Sequence, residues 1–84
     1  MLTIPLDVIY MTTHDLKQLL DELDVDPRFY SLEGKRRNDQ MILCQSYSAW
    51  IVFYRDEEGH KRNEKYFPSE AEACQYLYNY FKLK

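Results

Sequence analysis

The sequence has little of the material from which catalytic and cofactor sites are commonly built. Its 84 residues include two glycines, two cysteines and two histidines. Two isolated glycines do not make the Gly-rich loop that wraps a phosphate group. The cysteines and histidines lack the close pair spacing that zinc sites usually show. These four residues are His14, Cys44, His60 and Cys74. We therefore expect no cofactor, no metal and no enzymatic activity.

The sequence also lacks a recognisable targeting segment. Met1–Tyr10 is mostly apolar, but it carries no basic residue, includes Pro5 and is too short to span a membrane. Two cysteines in a chain without a signal peptide are typical of reduced thiols in a cytosol. We predict a cytoplasmic protein with a single domain, residues 1–84, in which residues 1–10 are a loosely packed leader.

Aromatic residues are what the chain has in abundance. Eight tyrosines, four phenylalanines and one tryptophan are present, and each buried ring removes roughly 150–250 Å² from water. A chain this short buries only about 60% of its unfolded surface. The rings therefore have to supply much of the core.

The first helix is predicted from a capping signal and a leucine stripe. Thr12 or Thr13 begins it, and it stops by Val25 because Asp26 precedes a proline. Four leucines at helical spacing form its inward face. They are Leu16, Leu19, Leu20 and Leu23. After the helix, Phe29, Tyr30 and Leu32 are expected to anchor an irregular stretch to the core.

The second helix is predicted from about Glu70 to Phe81. Ser69 and Glu72 have the spacing of a capping box at its start. Its inward stripe is expected to contain Cys74 and Leu77, at helical spacing.

Three strands lie between the helices, at roughly residues 41–46, 49–55 and 61–67. The short links between them favour antiparallel pairing. The predicted fold is therefore α+β: a helix, a three-stranded antiparallel β-meander and a C-terminal helix. The middle strand is apolar on both faces, so either the two helices cover opposite faces or a partner chain covers one of them.

Charge is unevenly distributed along the chain, whose net charge is −3. Residues 1–34 carry seven acids against two bases, whereas residues 35–84 carry seven acids against nine bases. An acidic half suits a basic partner. A solvated helix face explains the same pattern equally well.

Three segments resemble a known family. They are Met11-Thr12-Thr13-x-Asp15-Leu16, Trp50-x-Val52-x-Tyr54-x-Asp56-Glu57-Glu58-Gly59 and Phe67-Pro68-Ser69-Glu70-Ala71-Glu72-Ala73-Cys74-x-Tyr76-Leu77. Together they resemble small bacterial immunity proteins, which accompany polymorphic toxins and contact-dependent growth inhibition systems. The resemblance covers most of residues 11–81 and implies a stoichiometric inhibitor. Such a protein has no catalytic group and binds the C-terminal domain of a cognate toxin, as a monomer in complex with it. The toxin could be a nuclease.

The matching residues are mostly scaffold, so the contact residues are predicted from their chemistry. Acids at the carboxyl end of a helix oppose the helix dipole, at a cost of a few tenths of a kcal/mol or more. Either contact with a basic partner or solubility explains them. Tyrosines offer apolar area with a polar tip, as interfaces commonly use. The predicted contact residues are Asp21, Glu22, Asp24, Asp26, Arg28, Tyr30, Asp56, Glu57, Glu58, Tyr76 and Tyr80.

Two other functions remain open from the sequence. A single-stranded RNA-binding module would use Lys35, Arg36 and Arg37 beside Phe29 and Tyr30, although the acidic balance makes nucleic acid the weaker choice. A homo-oligomeric structural subunit would bury the second face of the middle strand. Neither alternative involves a membrane.

Overall fold

The computed structural model of this protein describes residues 11–34 and 37–83. The predicted leader, residues 1–10, lies outside this part of the chain, as do Lys35 and Arg36. Within the described residues the architecture is α+β, with two α-helices and one four-stranded sheet in the order β1-β2-β3-β4. The elements are α1 (Thr13–Glu22), β1 (Tyr30–Ser31), β2 (Gln40–Ser46), β3 (Ala49–Arg55), β4 (Lys61–Phe67) and α2 (Glu70–Lys82).

The sheet is mixed, so the predicted three-stranded antiparallel meander is wrong. Strands β2, β3 and β4 pair antiparallel, but β1 adds a parallel pair to β2, with Tyr30 opposite Met41. A two-residue strand has no periodicity to detect in a sequence. It is held by the buried side chain of Gln40, whose Nε2 donates to the carbonyl oxygens of Arg28 (3.1 Å) and Tyr30 (3.3 Å).

Helix α1 begins as predicted, at a capping box. The Asp15 N–H donates to Thr12 Oγ1 (3.2 Å), and the Thr12 N–H donates to Asp15 Oδ2 (3.1 Å). Leu16 and Leu20 are fully buried. These reciprocal bonds satisfy two of the amide groups that a helix start otherwise leaves without a partner.

Helix α2 begins beside the start of α1. Ser69 Oγ accepts from the Glu72 N–H (3.2 Å), and Glu70 Oε2 accepts from the N–H of Thr13, at the first turn of α1 (2.9 Å). The two helices pack together. Both helices therefore begin at the same end of the core.

The main core lies between the two helices and one face of the sheet. Leu16 and Leu20 of α1, Cys74 and Leu77 of α2 and Val52 of β3 belong to one buried cluster. Of the two alternatives for covering the middle strand, the one that places the helices on opposite faces of the sheet is therefore wrong. Burial of Cys74, assisted by the charges of Glu70 and Asp15, raises the pKa of its thiol to about 12.

The opposite face of the sheet has a smaller buried cluster of its own. Ile42, Ile51 and Phe53 are 0%, 9% and 1% exposed in the single chain. Lys61 Nζ lies 5.0 Å from the centre of the Phe53 ring. Because these side chains are already buried, covering this face does not require a partner chain.

Candidate protein-binding site

One end of the sheet gathers most of the predicted contact residues. The strand register places Gln40 opposite Arg55, so the turn at residues 56–60 lies at this end. The 3₁₀ turn Pro27–Phe29 lies there too, because the Gln40 amide binds the Arg28 carbonyl. We call residues 21–29 and 56–60 the acidic end.

Both helices direct their carboxyl ends toward the acidic end. Phe81, near the end of α2, packs edge-on against Tyr30, with ring centres 5.9 Å apart. Helix α1 begins beside the start of α2 and joins the 3₁₀ turn through residues 23–26. The partial negative charge at the end of α1 therefore adds to that of the carboxylates, whereas Lys82 offsets the one at the end of α2.

Helix α1 ends in a Schellman motif with an aspartate at the position that glycine usually occupies. Asp24 has a φ of 60°. Its N–H donates to the Asp21 carbonyl (3.1 Å), and the Val25 N–H donates to the Leu20 carbonyl (3.0 Å). A left-handed conformation favours glycine at this position. Asp24 is exposed, so its carboxylate lies in solvent at the negative end of the helix.

The last turn of α1 has no basic residue to balance its acids. Asp21 is paired with Lys17, whose Nζ lies 2.6 Å from Asp21 Oδ1. Glu22 is exposed and makes no ion pair with any described residue. Helix ends usually have the opposite arrangement, with cations in the last turn.

Asp26 and Arg28 neutralise each other within the 3₁₀ turn. Asp26 accepts from the Arg28 backbone N–H through Oδ1 and from Arg28 Nε through Oδ2, both at 3.0 Å. These bonds from Arg28, the backbone one first, lower the pKa of the Asp26 carboxyl. The Arg28 guanidinium also lies 5.8 Å from the centre of the Phe29 ring. Both predicted contact residues are therefore engaged within the chain, although Arg28 remains exposed.

Asp56 organises the turn between β3 and β4. Its carboxylate accepts from the backbone N–H groups of His60 (2.8 Å) and Glu58 (3.0 Å) and from Arg62 Nε (2.9 Å). The His60 amide is the largest influence lowering the pKa of Asp56, and the Arg62 bond adds to it. Its side chain is only 18% exposed. The prediction that Asp56 faces a partner is therefore replaced by a role in holding the turn.

Glu57 and Glu58 are exposed on the same turn, as predicted. Glu58 Oε2 lies 3.6 Å from His60 Nδ1, a pair that is ionic only when the histidine is protonated. Four carboxylates of the acidic end are thus exposed and bound to no lysine or arginine of the described chain. They are Glu22, Asp24, Glu57 and Glu58.

Two exposed apolar side chains lie among these acids. Leu23 is 37% exposed and Phe29 is 50% exposed. Both were predicted to face the core: Leu23 as the last member of the leucine stripe and Phe29 as an anchor. The helix ends at Glu22, so the stripe no longer applies at Leu23. Both side chains therefore expose apolar area beside the acids.

The predicted tyrosines lie in three different environments. Tyr30 is 6% exposed and belongs to the core, so its ring is not on the surface. Tyr80 is half-buried near the acidic end and packs on Phe81 with ring centres 5.1 Å apart. Tyr76 packs on Phe67 at 5.3 Å, toward the other end of the sheet. Only Tyr80 lies close to the predicted acids.

The sequence reasoning missed the two most exposed tyrosines among residues 11–34 and 37–83. Tyr47 is fully exposed at the turn between β2 and β3, with a φ of 49°, and Tyr66 on β4 is 63% exposed. A bulky residue with a positive φ is uncommon, and no sequence pattern predicts it. For Tyr66, a signal existed: it alternates with the core-facing Phe67 on an edge strand.

Within residues 11–34 and 37–83, no three His, Cys, Asp or Glu side chains are grouped in a way that could hold a metal ion. No described helix combines the length and apolar character needed to cross a membrane. Comparison with protein-family models, curated proteins and solved structures finds no match to this chain.

Proposed function

We propose that this protein is an immunity protein, a stoichiometric inhibitor that binds the C-terminal domain of a cognate bacterial toxin in the cytoplasm. In this proposal it performs no catalysis and needs no cofactor. The acidic end covers a basic surface of the toxin. If the toxin is a nuclease, that surface is the groove that binds its substrate.

The observation that carries the proposal is the unbalanced charge at the acidic end. The cations Arg28 and Arg62 are bound to Asp26 and Asp56, so they do not neutralise the remaining acids. The carboxyl end of α1, whose last turn has no basic residue, adds to the negative potential. A concentrated potential of one sign steers a partner of the opposite sign and raises the rate of association.

The exposed apolar side chains complement this charge. Binding energy at interfaces is concentrated in a few apolar or aromatic side chains surrounded by polar ones. Phe29 is half-exposed between Arg28 and the buried Tyr30. We assign it the role of the apolar anchor, with Glu22 and Asp24 at the rim.

The test is binding to the C-terminal domain of the toxin encoded next to this gene, measured with purified proteins. Glu22→Lys is expected to weaken binding at least tenfold, because it places a cation against a basic surface. Glu72→Lys is the matched control, since Glu72 is also an exposed helix glutamate but lies in the first turn of α2, away from the acidic end. It is expected to change the affinity less than threefold.

Absence of any complex with that domain would overturn the proposed function. Equal losses from Glu22→Lys and Glu72→Lys would leave an inhibitor but reject the acidic end as its contact surface. Phe29→Ala tests the apolar contact of the interface separately from its charged contacts. It is expected to raise the dissociation rate and to leave the salt dependence of association unchanged.

The single-stranded RNA alternative has less support. Base stacking needs exposed aromatic rings. Of the two rings predicted for it, Phe29 is 50% exposed but Tyr30 is only 6% exposed, and Phe53 on the sheet is 1% exposed. Of the three predicted basic residues, Arg37 is the one that the described chain includes, and it is exposed.

The homo-oligomer alternative rested on an uncovered second sheet face. Ile42, Ile51 and Phe53 are buried in the single chain, so that reason no longer holds. Sedimentation at micromolar concentration tests the remaining possibility, and a monomer is expected.

A further inference from the structure

His60 lies beside two carboxylates of the acidic end. Its Nδ1 atom is 3.8 Å from Asp56 Oδ2 and 3.6 Å from Glu58 Oε2, and its side chain is 64% exposed. Histidine is the side chain that ordinarily changes its charge between pH 5 and 8. A positive charge that appears on this ring therefore alters the charge of the acidic end itself.

The two carboxylates differ in how many of their acceptor positions are already used. Asp56 Oδ1 accepts from the backbone N–H groups of Glu58 and His60, and Asp56 Oδ2 accepts from Arg62 Nε. The His60 amide, followed by the Arg62 bond, lowers the pKa of the Asp56 carboxyl, so Asp56 stays charged while a histidine titrates. Glu58 is 72% exposed and pairs with no lysine or arginine of the described chain. Glu58 is therefore the open acceptor for a protonated His60 ring.

The cations of the flanking strands keep a constant charge between pH 5 and 8. They are Arg55 at the end of β3, whose guanidinium lies next to Gly59, and Lys61 and Arg62 of β4, which are bound to Glu64 and Asp56. From the segment before β2, Asn38 donates to the Glu57 carbonyl and is uncharged. Among the described groups around this turn, His60 is the one whose charge changes in this range.

Protonation of His60 has two effects on the proposed contact surface. It adds one positive charge to the acidic end, and it gives Glu58 a partner within the chain, so that this carboxylate is no longer free for a cation of the toxin. We propose that His60 makes the acidic end a pH-dependent contact surface, which binds a basic partner more tightly when the ring is neutral than when it is protonated. This inference rests on the proposed function, because it concerns the same surface.

The first test follows the isotope-labelled full-length protein by NMR while the pH is lowered from 8 to 5.5. The carboxyl carbon of Glu58 is expected to shift with the same midpoint as the His60 ring, because the two groups pair when the ring is protonated. In His60→Gln this shift is expected to disappear. A Glu58 resonance that responds to pH in the same way in His60→Gln would overturn the pairing.

The second test measures binding of octalysine to the full-length protein at low salt. The charge of this peptide is constant over the range used. Binding is expected to be about threefold weaker at pH 5.5 than at pH 7.5, which is the size of effect usual for an exposed ion pair, and to change much less in His60→Gln.

His14→Gln is the matched control for the octalysine measurement. His14 is also exposed, but it lies in the first turn of α1, away from the acidic end. This variant is expected to keep the pH dependence of the natural protein. Equal pH dependence in His14→Gln and His60→Gln would reject His60 as the cause.

The final measurement uses the toxin domain. The ratio of the association rate constants of the natural protein and His60→Gln is compared at pH 7.5 and 5.5, so that titration of the toxin's own groups cancels. The ratio is expected to fall at the lower pH. A complex whose ratio is the same at both pH values would overturn this inference and leave the proposed function standing. Absence of any complex would overturn the proposed function, whereas octalysine binding that does not depend on His60 would overturn this inference alone.

Discussion

At the scale of single residues, Asp24 and Tyr47 adopt backbone conformations that their residue types disfavour. Both residues have positive φ values, 60° and 49°. Asp tolerates this conformation better than Tyr does, yet glycine suits both positions best. Residues retained against such preference are often functional, and Asp24 lies within the proposed binding site.

Replacing Asp24 with glycine is expected to stabilise the fold by about 0.5–1 kcal/mol, because glycine relieves the left-handed conformation and the unfavourable charge leaves the helix end. Urea denaturation measures the change. Glu22→Gly is the control, since glycine inside a helix is expected to lower the free energy of unfolding by about 1 kcal/mol. A loss of stability in Asp24→Gly would contradict this account of the helix end.

Asp56 gives a prediction about pH. Its pKa in the folded protein is lowered from 3.8 by the bonds from His60 and Arg62. The charged carboxylate therefore contributes stability that is fully present above about pH 4 and is lost as pH falls through the lower folded pKa. Asp56→Asn should be less stable than the natural protein at pH 7, and the difference should shrink below pH 4. Denaturant midpoints across this range measure it. If the stability difference between Asp56→Asn and the natural protein were the same at every pH, the charge of Asp56 would not be its cause.

At the scale of elements, the order of the helices and the three long strands could be predicted from periodicity, turns and capping residues. Strand β1 could not, because its two residues carry no pattern and depend on the distant side chain of Gln40. The shared face of the two helices could not be predicted either. An apolar strand shows that both faces are covered, but not what covers each one.

The candidate site was predicted in part for similar reasons. Acid composition correctly indicated the exposed Glu22, Asp24, Glu57 and Glu58. It did not distinguish them from Asp56, because a turn carboxylate that binds backbone amides has the same sequence signature as a solvated one. That distinction depends on three-dimensional hydrogen bonding.

The bond between Thr13 and Glu70 links the two helices and gives a prediction at this scale. Glu70→Ala is expected to cost about 1 kcal/mol, because it removes a charged acceptor from an amide at the start of α1. Glu72→Ala is the control: it has the same change in helix propensity, but its side chain is exposed. Thermal unfolding of both variants measures the difference. Equal melting temperatures would show that the link adds no stability.

At the scale of the whole molecule, the two ends of the helices differ in how side-chain charge meets the helix dipole. Asp15, Glu70 and Glu72 complement the dipole at the helix starts, whereas the acids at the end of α1 oppose it. The net charge of −3 therefore does not describe how charge is distributed over the protein surface.

Association with the proposed toxin domain should therefore depend on salt through its rate. Raising sodium chloride from about 10 mM to about 500 mM is expected to lower the association rate constant about tenfold and to change dissociation much less. Stopped-flow mixing measures both rates. The Glu72→Lys variant should show nearly the same salt dependence, whereas Glu22→Lys should show a weaker one. An association rate that does not respond to salt would remove electrostatic steering from the proposal.

The two cysteines lie in clusters on opposite faces of the sheet, Cys44 beside Phe53 and Cys74 on the buried side of α2. The backbone of the sheet lies between their sulfur atoms, so oxidation cannot form a disulfide bond between Cys44 and Cys74 within one chain. Cys74 is fully buried and scarcely ionised at neutral pH, with a pKa of about 12. An alkylating reagent can modify it only when the helix lifts from the sheet. The rate at which an alkylating reagent modifies Cys74 therefore measures how often the native packing opens.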